Sequence, residues 1–375
     1  MDSRRIDNIE YLRGVAALAV VLCHAVGQFH GVTRFSEGPI RLLGWGGQIG
    51  VALFFVISGF CIRLPLARAR AADPGARLDV GDYARRRALR ILPAYWVAIA
   101  VSVLVGVLAP TGLLDGAHQP FNLAVHALGL HSLFPWTFTS INGVFWTIGL
   151  EIQFYAAYLL LANRPASPKA GFLTLVLAIA VYGVASKLFP NPSPWRIIGQ
   201  EILLATFWQW YLGAILADAY VRLNPVLPSG AGWTALLWAA RAAAVGACLG
   251  LGMDDPVVAQ VHLTYWALPL AATALVASFL VEPERPAGRP SVILGFFGRI
   301  SYSLYLFHPA VVALVALAVA KGVLPNGTGV PLVLAGSVLT AMVTYRLIER
   351  PFLRYRSRRR PSMAEAPASI PAEAA

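Results

Sequence analysis

The sequence predicts an all-α, polytopic transmembrane helical bundle of about ten helices with both termini cytoplasmic. Three observations predict it. The chain is 58% hydrophobic and only 13% charged, which is too apolar for an ordinary soluble domain. Its apolar residues gather in windows of about 20, the length that crosses a bilayer core as a helix. Its basic residues divide unevenly between alternate loops. A net charge of +12 often marks a nucleic-acid partner. Here the basic residues lie between apolar spans, so the lipid bilayer explains them and no nucleic acid is expected.

The candidate spans are 10–28, 49–66, 90–109, 144–162, 171–189, 200–221, 231–251, 260–281, 300–320 and 329–348. The first resembles a secretory signal, with Arg4 and Arg5 ahead of an apolar run. Glu10 and Arg13 intrude before that run, so it reads as the first span instead. The stretch 120–134 is apolar but short, and reads as an interfacial or re-entrant piece. With the N-terminus inside, 24 Lys and Arg residues fall on the cytoplasmic side and 5 outside, a strong positive-inside bias. The eight arginines from Arg63 to Arg90 form the richest inner segment, whereas 110–143 contains no Lys or Arg. Residues 1–353 form the membrane domain. The tail, 354–375, is basic and then rich in Ala, Pro and Glu, and is expected to be disordered. The chain is therefore expected as a multi-pass protein of a bacterial-type inner (plasma) membrane.

Arg13 and His24 share the first span, eleven residues apart. At 100° and 1.5 Å per residue they lie about 20° out of register on one face and about 16 Å apart. They cannot touch along a straight helix: Arg13 sits at the inner surface and His24 near the bilayer centre. An ionisable group at that depth is a functional candidate. Helical rise places Ser58 about 14 Å and Glu151 about 11 Å from the outer ends of their spans, and His308 about 13 Å from an inner end, all near the depth of His24. Each has a plainer alternative. Ser58-Gly59 makes a small-residue packing notch. His308 precedes Pro309, where freed backbone carbonyls want donors. Glu151 is costly in lipid unless paired or protonated.

The segment Tyr83-Ala84-Arg85-Arg86-Arg87-Ala88-Leu89-Arg90-Ile91-Leu92-Pro93 carries four arginines just before the third span. It serves either as an anchor on anionic headgroups or as a phosphate clamp. Arg87 and Arg90, at i and i+3, converge on one anion if the segment is helical. Arg241 stands anomalously within a span. Trp208-Gln209-Trp210 reads as packing, and His118, His126 and His131 read as scattered surface histidines. Cys23, Cys61 and Cys248 show neither metal spacing nor a disulfide framework, and no metal site is expected.

Together these pieces resemble acyltransferase family 3, the integral membrane O-acyltransferases that include bacterial O-antigen and exopolysaccharide acetylases. The residues that carry the resemblance are Glu10-Tyr11-Leu12-Arg13-Gly14 with His24, Phe54-Phe55-x-x-Ser58-Gly59-Phe60, and Arg90-Ile91-Leu92-Pro93. Trp146-Thr147-x-x-x-Glu151-x-x-Phe154-Tyr155, Ile300-Ser301-Tyr302-Ser303-Leu304-Tyr305-Leu306-Phe307-His308 and Glu349-Arg350-Pro351 follow in order. Glu10 stands where aspartate is also common and Thr147 where serine is common. No counterpart of the hydrolase-like domain fused to some members is expected in residues 1–375.

The resemblance implies transfer of an acyl group, usually acetyl, from cytoplasmic acyl-CoA to a carbohydrate hydroxyl. On that reading His24 is catalytic as general base or acyl relay. Glu151 orients a histidine or binds sugar hydroxyls. Arg87 and Arg90, with Arg86 as helper and Arg13 at the inner mouth, hold the CoA phosphates. Glu10, Ser58, Trp146, Tyr302 and His308 are substrate or structural site residues. Two other readings stay open: a proton-coupled transporter of a small anion or glycan precursor, and an enzyme that assembles polyprenyl-linked glycans.

Overall fold

The computed structural model describes residues 4–32, 41–109, 119–189, 193–225, 230–251, 263–281 and 289–358. Among these, the helices run in the order α1 (Arg4–His30), α2 (Arg41–Ala72), α3 (Val80–Leu108), α4 (Pro120–Ala127), α5 (Trp146–Leu161), α6 (Pro168–Leu188), α7 (Pro194–Glu201), α8 (Leu203–Leu223), α9 (Ala231–Leu251), α10 (Leu263–Leu280), α11 (Arg289–Ala320), α12 (Gly329–Thr344) and α13 (Arg350–Arg358). A π-helical turn, Tyr345–Glu349, joins α12 to α13. No strand occurs among the described residues. Each of the ten predicted spans overlaps a helix, and among the described residues seven helical stretches are long and apolar enough to cross a membrane. The tail beyond residue 358, with His118, lies outside the described residues.

Helices overrun their apolar windows for one reason, and the starts of α3 and α11 show it most. α3 starts at Val80, where the Asp79 carboxylate accepts from the Asp82 amide at 2.9 Å and caps the helix. The arginine segment is therefore the first turns of α3 rather than a loop. α11 starts at Arg289, well before residue 300. A helix continues wherever its backbone bonds are made; hydropathy marks only the part matched to lipid.

α1 lies at the centre of the bundle. Ile9, Leu12 and Ala16 pack with α2, α8 and α10, while Ala17, Val21 and Ala25 pack with α11 and α12. The largest core joins α2, α3, α5, α8 and α11. Close crossings rest on glycine: a Cβ on Gly59 would overlap the Trp210 carbonyl, and one on Gly213 the Val56 carbonyl, so α2 and α8 meet backbone to backbone. The outward faces stay apolar, with Val107 70% and Leu160 83% exposed. In water such faces would drive association; against lipid tails they need no cover.

Arg63 is not a loop residue. It is 1% exposed, grips Asp218 with two bonds of 2.7 and 2.8 Å, and donates to the Ala162 carbonyl, which ties α2 to α8 and the end of α5. Arg241 has a similar structural setting. It is buried, donates to the Ser278 carbonyl at 3.2 Å and lies over the Phe279 ring at 3.8 Å. It thereby satisfies the last turn of α10.

Candidate active site

Five helices enclose a cavity with about 840 Å³ of space not filled by atoms, the open mouth included. α1 supplies Arg13, α2 Phe54 and Ser58, α3 Arg87 and Arg90, and α5 Glu151. From α11 come Ser301, Tyr302 and Tyr305.

The three arginines differ in what they hold. Arg13 bonds Glu10 at 2.9 Å. Arg90 pairs with the buried Glu349 of the π-helical turn, lies over the Tyr302 ring at 5.5 Å, and is backed by Ser303, which donates to the other Glu349 oxygen at 2.9 Å. Arg87 forms no ion pair among the described residues. It lies between the rings of Tyr83 and Tyr155, at 5.9 and 5.8 Å, and its Nε is buried without a partner. Ser301 Oγ is likewise buried and unpaired. Both residues line the cavity. Arg86 pairs with Asp82 and does not line the cavity.

Glu151 accepts from Ser58 Oγ at 3.0 Å and from the Tyr155 hydroxyl. Trp210 Nε1 donates to Ser58 Oγ at 3.2 Å. The carboxylate is thus satisfied by hydroxyls and bonds to neither histidine. Trp210, read from sequence as packing alone, belongs to this chain of bonds. Ser58 is a hydrogen-bonding residue, and its neighbour Gly59 forms the notch. Tyr302 donates to the Ile91 carbonyl at 2.9 Å. Trp146 stands apart, stacked on Phe138 with centroids at 5.6 Å.

The histidines form a separate pair. His308 Nδ1 lies 2.8 Å from the Tyr305 carbonyl and 3.2 Å from that of Leu304. Pro309 has no N–H for Tyr305, and the His308 ring replaces it. A carbonyl only accepts, so Nδ1 carries the hydrogen and Nε2 the lone pair. That Nε2 lies 3.2 Å from His24 Nδ1, which also faces the Val20 carbonyl at 2.9 Å. His24 Nδ1 therefore carries the hydrogen, and Nε2 is its lone-pair nitrogen. His308 is fully buried. His24 is exposed, where its mid-span position predicts burial. The four depth-matched residues thus form two pairs, Ser58 with Glu151 and His24 with His308.

His126 and His131 are not surface residues. Both are fully buried and their rings stack at 4.1 Å, tilted 14°. His126 Nδ1 donates to the Asn122 carbonyl at 2.9 Å and His131 Nε2 to that of Phe145 at 2.8 Å. Burial pushes the imidazoles down, His126 to about 4 and His131 to about 3, with the adjacent His126 adding to the shift at His131.

The family described as an acyltransferase domain matches residues 6–346. The exopolysaccharide production protein ExoZ of Rhizobium meliloti (strain 1021) is 26% identical, over 82% of this chain and 90% of its own. BcsY of Komagataeibacter xylinus, whose name describes a membrane-bound transacylase, is 28% identical over 95% of this chain and 85% of its own. Nodulation protein 10 of Rhizobium leguminosarum bv. viciae is 25% identical over 94% of each. No solved structure matches.

Proposed function

The chain belongs to the acyltransferase-3 family of membrane acyltransferases, and from that premise we propose that it moves an acyl group, in the first place acetyl, from cytoplasmic acyl-CoA to a hydroxyl of a cell-surface or lipid-linked carbohydrate. The observation that carries the donor half is the cavity of Arg13, Arg87 and Arg90 with its unpartnered Arg87 Nε. CoA is a polyanion, and planar guanidinium forks bind phosphate well. The positive-inside bias supports reading this end of α1 and α3, and both termini, as cytoplasmic. A relative named for exopolysaccharide production supports a carbohydrate acceptor.

In this reading the acceptor hydroxyl gives its proton to His24 Nε2 while its oxygen attacks the thioester carbonyl. The C–S bond then breaks, and the CoA thiolate leaves with the proton returned by the imidazolium. The products are an ester and free CoA thiol. His308 Nε2 accepts from His24 Nδ1–H, which fixes the tautomer and steadies the imidazolium. Glu151, held by Ser58 and Tyr155, receives donors of the bound substrate. The test is purified protein in proteoliposomes given labelled acetyl-CoA. Release of CoA thiol that depends on added membrane glycan supports transfer. Counterflow of intact solute without thiol release contradicts it.

A further inference from the structure

We propose that Phe54 is a positioning residue that closes the cavity toward the histidine pair and limits the length of acyl chain that reaches His24. This rests on the acyl-transfer reading above. Phe54 and Tyr305 line the cavity, and neither His24 nor His308 does. The Phe54 ring stands edge-on to Tyr305, centroids 5.7 Å apart, and Tyr305 stands edge-on to His308 at 6.0 Å. Tyr305 thus stands between the cavity and His308, and Phe54 packs against it on the cavity wall.

This wall has a fixed half and a free half. The Tyr305 hydroxyl lies 2.7 Å from Thr147 Oγ1 and donates to the Val144 carbonyl at 3.2 Å. Moving that ring breaks bonds to two groups in a buried setting. Phe54 has no polar tether. It is half-buried and packs against all three of the larger core clusters, so only dispersion contacts resist a change of χ1. On α2 it lies one turn before Ser58, on the same face. Its rotation joins the space beside Ser58 and Glu151 to the space at His24. An acetyl group needs a small opening. Each added methylene must displace more of the ring.

The experiment uses inverted membrane vesicles from cells making the wild-type chain or Phe54→Ala, Phe54→Leu or Phe54→Trp, which retain the native acceptor. Each is given labelled acetyl-CoA or butyryl-CoA, and base-labile label in the carbohydrate fraction is read. In Phe54→Ala the butyryl-to-acetyl ratio rises about tenfold or more, the scale on which a pocket discriminates by methylenes. Leu gives a smaller rise, and Trp drops the ratio below wild type. If Ala does not fold, Leu and Trp carry the same test in opposite directions. A ratio unchanged across the folded variants overturns the proposal, because a merely structural role lowers both donors together. If the wild-type chain transfers no label from acetyl-CoA, the acyl-CoA reading fails, and the proposal with it.

Discussion

His308 Nε2 lies 3.2 Å from His24 Nδ1, and the backbone at Pro309 decides which nitrogen holds the hydrogen. The two carbonyls at His308 Nδ1 force the lone pair onto Nε2. His24 answers by turning its own Nδ1–H inward. A helix interruption thus sets the protonation pattern of a residue on another helix.

His308→Ala removes that constraint without touching the cavity. We expect kcat to fall about 10²-fold, within the range that general-base catalysis supplies, while KM for acyl-CoA hardly changes. Steady-state kinetics at varied acyl-CoA check this. A raised KM with kcat intact would place His308 in donor binding instead.

Arg87 and Arg90 should separate in their effects. Arg87→Ala removes a guanidinium without a carboxylate partner, so KM for acyl-CoA rises while thermal unfolding in detergent stays near wild type. Arg90→Ala strands Glu349, whose side chain is 1% exposed, and costs about 3–5 kcal/mol of stability. Adding Glu349→Gln to Arg90→Ala recovers much of that loss. Equal effects of the two single substitutions on stability would contradict the distinction.

Stability should depend on pH through the His126–His131 stack. Both groups titrate in the folded protein below their ordinary value, at about 4 and about 3. The unfolded chain therefore binds more protons as pH falls below about 6.5. Stability is complete above that value and is lost progressively toward pH 4 and then 3. Thermal unfolding in detergent at pH 7.5, 5.5 and 4.5 reads the decline, and His126→Asn makes it shallower. A melting temperature independent of pH over this range would contradict the buried, neutral stack.

The spans were legible because hydropathy and the basic-residue bias depend on single positions along the chain. His308 was partly legible for the same reason: Pro309 advertises a freed carbonyl one turn back. Partners from distant segments were not. Glu349 sits 259 residues from Arg90, and the π-helical turn that aims it leaves no periodic mark. Trp210 looked like packing because its Nε1–H finds Ser58 only across the α2–α8 crossing that Gly59 and Gly213 permit. His126 and His131 looked exposed because a short segment between spans carries no signal of folding back onto α5. The i, i+3 spacing puts Arg87 and Arg90 on one face of α3, and both line the cavity, but the difference between them lies in what each one pairs with.

The most direct test of the central claim is single-turnover transfer by His24→Ala, with expression and unfolding temperature matched to wild type and acyl-CoA saturating. The proposed general-base role of His24 predicts a drop of about 10²–10⁴-fold in the transfer rate with acyl-CoA still bound. Transfer near the wild-type rate would contradict a catalytic His24.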